Sequence, residues 1–162
     1  MLTIGIDPDQ EKCGVGIANG AKLVDMKALH LFELMTLIDQ YVEAGAKFVV
    51  EDVELAKPTF PKNFGKKPLT PVQKQKIREK ISQDVGRVKC LGRLVVAYLK
   101  QAGADYVAIK PLGGYAKQTK KDAALFNRIT GWTGRSNEDQ RDAAMLALFG
   151  TRERRLNDVA SR

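Results

Sequence analysis

Four carboxylates stand out by position. Asp7 ends the apolar run LTIGID, Glu51 lies within FVVEDV, and Asp139 and Asp142 are one helical turn apart in DQRD. Brought together, such hard oxygen donors are what a pair of Mg²⁺ or Mn²⁺ ions needs to clamp a phosphodiester. The 162-residue chain carries 27 Lys and Arg against 19 Asp and Glu, a net charge of +8. That balance favours a polyanionic partner, because neutralising phosphates releases counterions and a basic surface steers the encounter. Acidic metal ligands in a basic chain point to a nuclease.

Each carboxylate also has a plainer use. Asp7-Pro8 can be a turn at a strand end. Glu51 and Asp52 are neighbours that a strand sends to opposite faces, so at most one joins a site; Glu51 is the first choice and Asp52 the fallback. Ser136-Asn137-Glu138-Asp139 reads as a capping box, which competes with a metal role for Asp139. Asp142 can share a helix face with Asp139 and leads straight into the apolar AAMLAL, where a carboxylate needs a partner that a metal can provide.

The elements that must position these groups follow from patterning. Leu2 to Asp7, Gly14 to Asn19 and Lys22 to Met26 read as an antiparallel meander with a hairpin turn at Asn19-Gly20. Leu31, Met35, Ile38 and Val42 have helical spacing that Gly45 ends. A strand from Lys47 to Glu54 follows, and the helical crossover makes it parallel to the first, so Asp7 and Glu51 become neighbours. After the loop from Leu55 to Leu69, Thr70-Pro71-Val72-Gln73 caps a helix running to Gln101. Tyr106 to Ile109 is a fifth strand, Thr119 to Asp122 reads as a capping box for a helix through Thr130, and Ser136 to Phe149 is the last helix. The result is an α/β domain with a mixed five-stranded sheet, three antiparallel strands plus two parallel, of ribonuclease H-like architecture. It is expected to occupy residues 1–150, with a polar basic tail over 151–162.

Other classes fit poorly. Cys13 and Cys90 lack metal-ligand spacing, which argues against a zinc site or a disulfide framework and for a reducing compartment. His30 is the single histidine and reads as a helix residue, which argues against a Ser-His-Asp triad. No stretch approaches the roughly 20 apolar residues of a membrane span, and MLTIGID enters a strand without leader features. A cytoplasmic protein is expected, nucleoid-associated or in the host cytoplasm if of phage origin, with no membrane partner.

The motif from Ile4 through Asp7-Pro8 to Gly14 and Gly16 resembles the opening of the RuvC-type Holliday junction resolvases, with Asp9 where the family usually has glycine. VVEDV resembles their second acidic strand, Lys120 with Phe126 and Arg128 a lysine-led helix, and Asp139 to Asp142 the C-terminal acidic helix. Some relatives have histidine at the position of Asp139, and many have an aromatic wedge where Glu54 stands. The resemblance implies hydrolysis of four-way junctions by paired symmetric nicks, leaving 5′-phosphate ends. It also implies a homodimer acting on branched DNA.

In that reading Asp7, Glu51, Asp139 and Asp142 hold two ions, Mg²⁺ or Mn²⁺, with Asp7 bridging, and Lys120 sets a cation on the scissile phosphate or stays a solvated lysine. DNA contacts are expected from Lys57, Lys62, Lys66, Lys67, Lys74, Lys76, Arg78 and Lys80, and from Lys117. Phe60 and Phe64 either stack on bases or anchor their loop. Leu91, Leu94, Val95, Tyr98 and Leu99 serve either the dimer or the core.

Overall fold

The computed structural model of the chain describes residues 1–56 and 69–151. Strands β1 (Leu2–Asp7), β2 (Cys13–Asn19) and β3 (Lys22–Leu29) form the expected meander. Helix α1 (Leu31–Glu43) crosses to β4 (Lys47–Glu51), which runs parallel to β1 and sets Val50 opposite Ile6. Helix α2 (Pro71–Gln101) crosses to β5 (Asp105–Ile109), parallel to β4. The sheet order is β3-β2-β1-β4-β5. Helices α3 (Gly114–Lys121), α4 (Ala123–Thr130) and α5 (Glu138–Phe149) follow.

Strand alternation divides the core between the two faces of the sheet. Ile4, Ile6, Val15, Ile17, Phe48 and Val50 pack with Leu34 and Ile38 of α1 and Val95 and Leu99 of α2. The other face joins Val49 to Met145, Leu146 and Leu148 of α5 and to Phe126 of α4. There Gly5 and Gly16 are direct cross-strand partners, and α5 lies on them. A Cβ on Gly5 would stand 2.0 Å from the Ala143 carbonyl oxygen, and one on Gly16 would stand 2.4 Å from the Ala144 Cα. Glycine at these positions lets the helix backbone rest on the sheet backbone.

Helix α2 starts on the expected cap: the Thr70 hydroxyl accepts from the Gln73 N–H at 3.2 Å, and the Gln73 side chain accepts from the Thr70 N–H at 2.9 Å. Its first turns stand clear of the core. Of its 31 residues Val95 and Leu99 are buried, whereas Val72, Ile81 and Val85 are exposed. For the apolar run left open between core and dimer, the structure shows which residues pack on the core. Leu91 and Tyr98 pack on the core beside Val95 and Leu99, while Leu94 is exposed.

Some local expectations are corrected. His30 precedes α1 instead of lying within it; its N–H donates to Glu33 Oε2 at 2.8 Å and its Nδ1 lies 2.9 Å from the Glu11 carbonyl oxygen. The fourth strand stops at Glu51, because Asp52 accepts from the Glu54 N–H at 2.8 Å and opens a 3₁₀ turn, Val53–Leu55. Thr119 to Asp122 is no capping box: Thr119, Lys120 and Lys121 end α3, and Asp122 alone caps α4 by accepting from the Leu125 N–H at 2.9 Å. Helix α5 is capped by Asn137 with Gln140, at 2.8 and 2.9 Å, and not by Ser136 with Asp139. Lys57, Phe60, Lys62, Phe64, Lys66 and Lys67 lie outside the described residues, as does the tail beyond Thr151.

Candidate metal centre

Asp7 is the last residue of β1 and Glu51 the last of β4, so parallel pairing sets both at the same end of the sheet. Alternation chooses Glu51 over Asp52: Glu51 follows Val49 on the α5 face, and Asp52 is spent on its 3₁₀ turn. Helix α5, seated on Gly5, Gly14 and Gly16, delivers Asp142 to the same place. One carboxylate oxygen from each of Asp7, Glu51 and Asp142 falls within 4.8 Å of the others. All three residues are buried, at 6%, 8% and 6% exposure respectively.

Like charges brought together out of water are costly unless something neutralises them. Burial, then the neighbouring charge of Glu51, pushes the Asp7 carboxyl well above its usual range. Burial and the charge of Asp142 push Glu51 up to about 7. Glu51 Oε2 is buried without a hydrogen-bond partner among the described residues. A buried carboxylate with an unpartnered oxygen, converging with two further carboxylates, is a donor set that suits a hard divalent cation, and all-oxygen ligation accepts Mg²⁺ or Mn²⁺ alike.

Lys120 supplies the local positive charge. Its Nζ lies 2.8 Å from Asp142 Oδ2, 3.3 Å from Asp7 Oδ2 and 3.8 Å from Asp139 Oδ1. Burial works against its ammonium, but the carboxylates of Asp7 and Asp142, with Glu51, outweigh this and raise its pKa. The residue thus sits among the carboxylates from the last turn of α3, not from the start of a helix. Asp139 stands further out, half-buried, with its carboxyl raised chiefly by burial, and reaches the cluster through Lys120. Because Asn137 caps α5, Asp139 is free of the capping role.

The expected DNA contacts divide by element. Lys74, Lys76, Arg78 and Lys80 line the exposed first turns of α2. Lys117 is exposed one turn before Lys120, where its charge slightly lowers Glu51. An open cleft beside Glu51 is lined by Pro8, Asp52, Val53, Val88, Lys89 and Gly92. Glu54 pairs with α2: its carboxylate takes two hydrogen bonds from the Arg93 guanidinium, at 2.8 and 2.5 Å, tying the 3₁₀ turn to that helix. Among the described residues no helix is long and apolar enough to cross a membrane.

No protein-family model matches the chain, and no curated protein sequence does so significantly. Solved structures do match. The chain is similar to Thermus thermophilus RuvC in complex with a Holliday junction substrate, at 16% identity over 96% of each chain with a TM-score of 0.60. It is also similar to a second Thermus thermophilus RuvC structure, at 16% identity over 97% of each chain with a TM-score of 0.50. The fold is therefore that of RuvC, a ribonuclease H-like α/β fold spanning nearly the whole chain.

Proposed function

We propose that this chain is a metal-dependent, structure-selective endonuclease that resolves four-way DNA junctions by paired symmetric nicks. The observation that carries the reading is the buried convergence of Asp7, Glu51 and Asp142, with an orphaned Glu51 oxygen, at the strand ends of a RuvC-like fold. Asp7, Glu51 and Asp142 hold the divalent metal, with Asp139 contributing from the rim. Bound there, Mg²⁺ or Mn²⁺ supplies water activation and stabilises the leaving oxygen. The carboxylates orient the cation-binding oxygens, and Lys120 brings an ammonium that can neutralise charge on the reacting phosphate. Basic side chains on α2 and Lys117 hold the DNA backbone, and hydrolysis leaves 5′-phosphate and 3′-hydroxyl ends. A symmetric dimer would match the near two-fold symmetry of a junction.

Labelled four-way junctions, flaps, duplexes and RNA–DNA hybrids incubated with Mg²⁺, Mn²⁺ or EDTA test the reading. Wild type is expected to nick junctions in preference to the other substrates, only with metal, and Asp7→Asn is expected to bind them without cutting. Junction binding with no cutting under either metal sinks the enzyme reading in favour of a junction-binding module. Preferential cutting of flaps or hybrids would instead assign a related ribonuclease H-like activity.

A further inference from the structure

Arg141 lies between Asp139 and Asp142 in sequence but is buried, at 6% exposure. Among the described residues its hydrogen-bond partners are Thr119, Lys120 and Ser136. Nε donates to the carbonyl oxygens of Thr119 at 3.1 Å and Lys120 at 3.0 Å, and Nη2 donates to the same Lys120 oxygen at 2.5 Å. Nη1 donates to the Ser136 carbonyl oxygen at 2.7 Å and to its Oγ at 3.2 Å.

Two needs are met by one side chain. The last carbonyls of a helix have no partner within it, and those of Thr119 and Lys120 belong to the last turn of α3. A buried guanidinium in turn needs its donors filled, and its planar fork offers them in a rigid spread. The result is a main-chain tie between α3 and α5 at the residue whose ammonium enters the carboxylate cluster. Asp142, which receives that ammonium at 2.8 Å, is the next residue after Arg141.

We infer that Arg141 is a positioning residue: by gripping the carbonyls at the end of α3 it sets where the Lys120 ammonium stands relative to Asp142 and Asp7. Its catalytic consequence rests on the nuclease reading above. A shift of about 1 Å in a reacting group is enough to lower a rate by about a hundredfold. Lysine at position 141 keeps the charge but offers its donors from a single point, so it cannot span the same acceptors.

The test is Arg141→Lys made alone and on a Lys120→Ala background. Alone, it is expected to lower single-turnover junction cleavage by about 10- to 100-fold, the usual effect of losing a supporting contact, with junction affinity unchanged. On the Lys120→Ala background it should leave the residual rate where it was, while lowering Tm on both backgrounds. An equal loss on both backgrounds, or undiminished cleavage by Arg141→Lys, overturns the inference. Ser136→Ala, which removes one acceptor and keeps the arginine, is the milder variant and should lower cleavage by a smaller factor on the wild-type background alone. A second measurement needs no cleavage. Reductive methylation of the metal-free protein, read by peptide mass spectrometry, should modify Lys117 readily and Lys120 slowly. In folded Arg141→Lys the Lys120 rate should rise toward that of Lys117, and unchanged protection overturns the inference. Should wild type cut no branched DNA, the nuclease reading falls and the methylation result alone decides on Arg141.

Discussion

The carbonyl oxygen of Asp139 lies 2.2 Å from the point a Cβ on Gly14 would occupy. Gly14 is itself the cross-strand partner of Asp7. The close approach of α5 to the sheet therefore occurs beside the carboxylates, and the absent side chain at Gly14 helps bring two acidic residues from opposite ends of the sequence together.

A methyl group on this interface should be felt at once. Gly16→Ala meets the Ala144 backbone at 2.4 Å, and overpacking of this kind destabilises by about 1–3 kcal/mol. Gly86→Ala, on the exposed part of α2 with open space around it, should stabilise by about 0.5–1 kcal/mol from helix propensity. Urea unfolding of both variants checks the opposite signs.

Acid should strengthen the metal-free protein relative to a variant lacking Glu51. With a folded pKa of about 7, above the roughly 4.3 of a free glutamate, Glu51 keeps a proton that the unfolded chain has already lost. The folded state binds more protons across that window, so stability falls as pH rises through it. Asp7 is shifted in the same direction. Thermal melts in EDTA from about pH 5 to 8 should show wild type losing Tm against Glu51→Gln. Mn²⁺ binding to wild type should tighten over the same range, because the metal must displace those protons.

Lys120→Met removes the ammonium from Asp142 and Asp7 and leaves their charges facing one another. In EDTA the variant should melt lower than wild type. It should also bind Mn²⁺ more tightly, because no resident cation competes, as titration followed by electron paramagnetic resonance would register. Its cleavage rate should fall by about 10²–10³, the scale of losing one preorganised charge-stabilising group.

Replacing Lys74, Lys76 and Lys80 together by glutamine should weaken junction binding with little change in Tm, since all are exposed on α2. If each meets a phosphate, the slope of log affinity against log salt should shrink by about 0.9 per contact. Fluorescence anisotropy at several salt concentrations measures it.

The sheet and the positions of its two carboxylates, Asp7 and Glu51, were legible because strand alternation and crossover rules act locally and strongly. Glu51 could be preferred to Asp52 on those grounds, and in the structure Glu51 joins Asp7 and Asp142 while Asp52 caps the 3₁₀ turn. Lys120 was assigned to the wrong end of a helix because Thr119-Lys120-Lys121-Asp122 imitates a capping box, while α3 begins at Gly114, after Gly113, with no side-chain cap to announce it. Arg141 escaped notice because an arginine among acidic residues reads as solvated. Its location just before an apolar helical run was the available signal, but its acceptors are main-chain atoms, which leave no mark in sequence. The gap between Asp139 and its presumed cap followed from Ser136 and Asn137 both being good cap residues, and only the backbone chooses between them.

The exposed first turns of α2 carry a dynamic consequence. A helical stretch that buries no residue leans on propensity, its cap and side-chain pairs such as Gln75 with Glu79 at 3.0 Å. Its amides should exchange with deuterium long before those of the buried β1, β4 and α5. The molecule would then have two mechanical characters within one chain: a stiff anvil where the carboxylates are set, and a compliant arm that can adjust its grip while the chemistry stays in register.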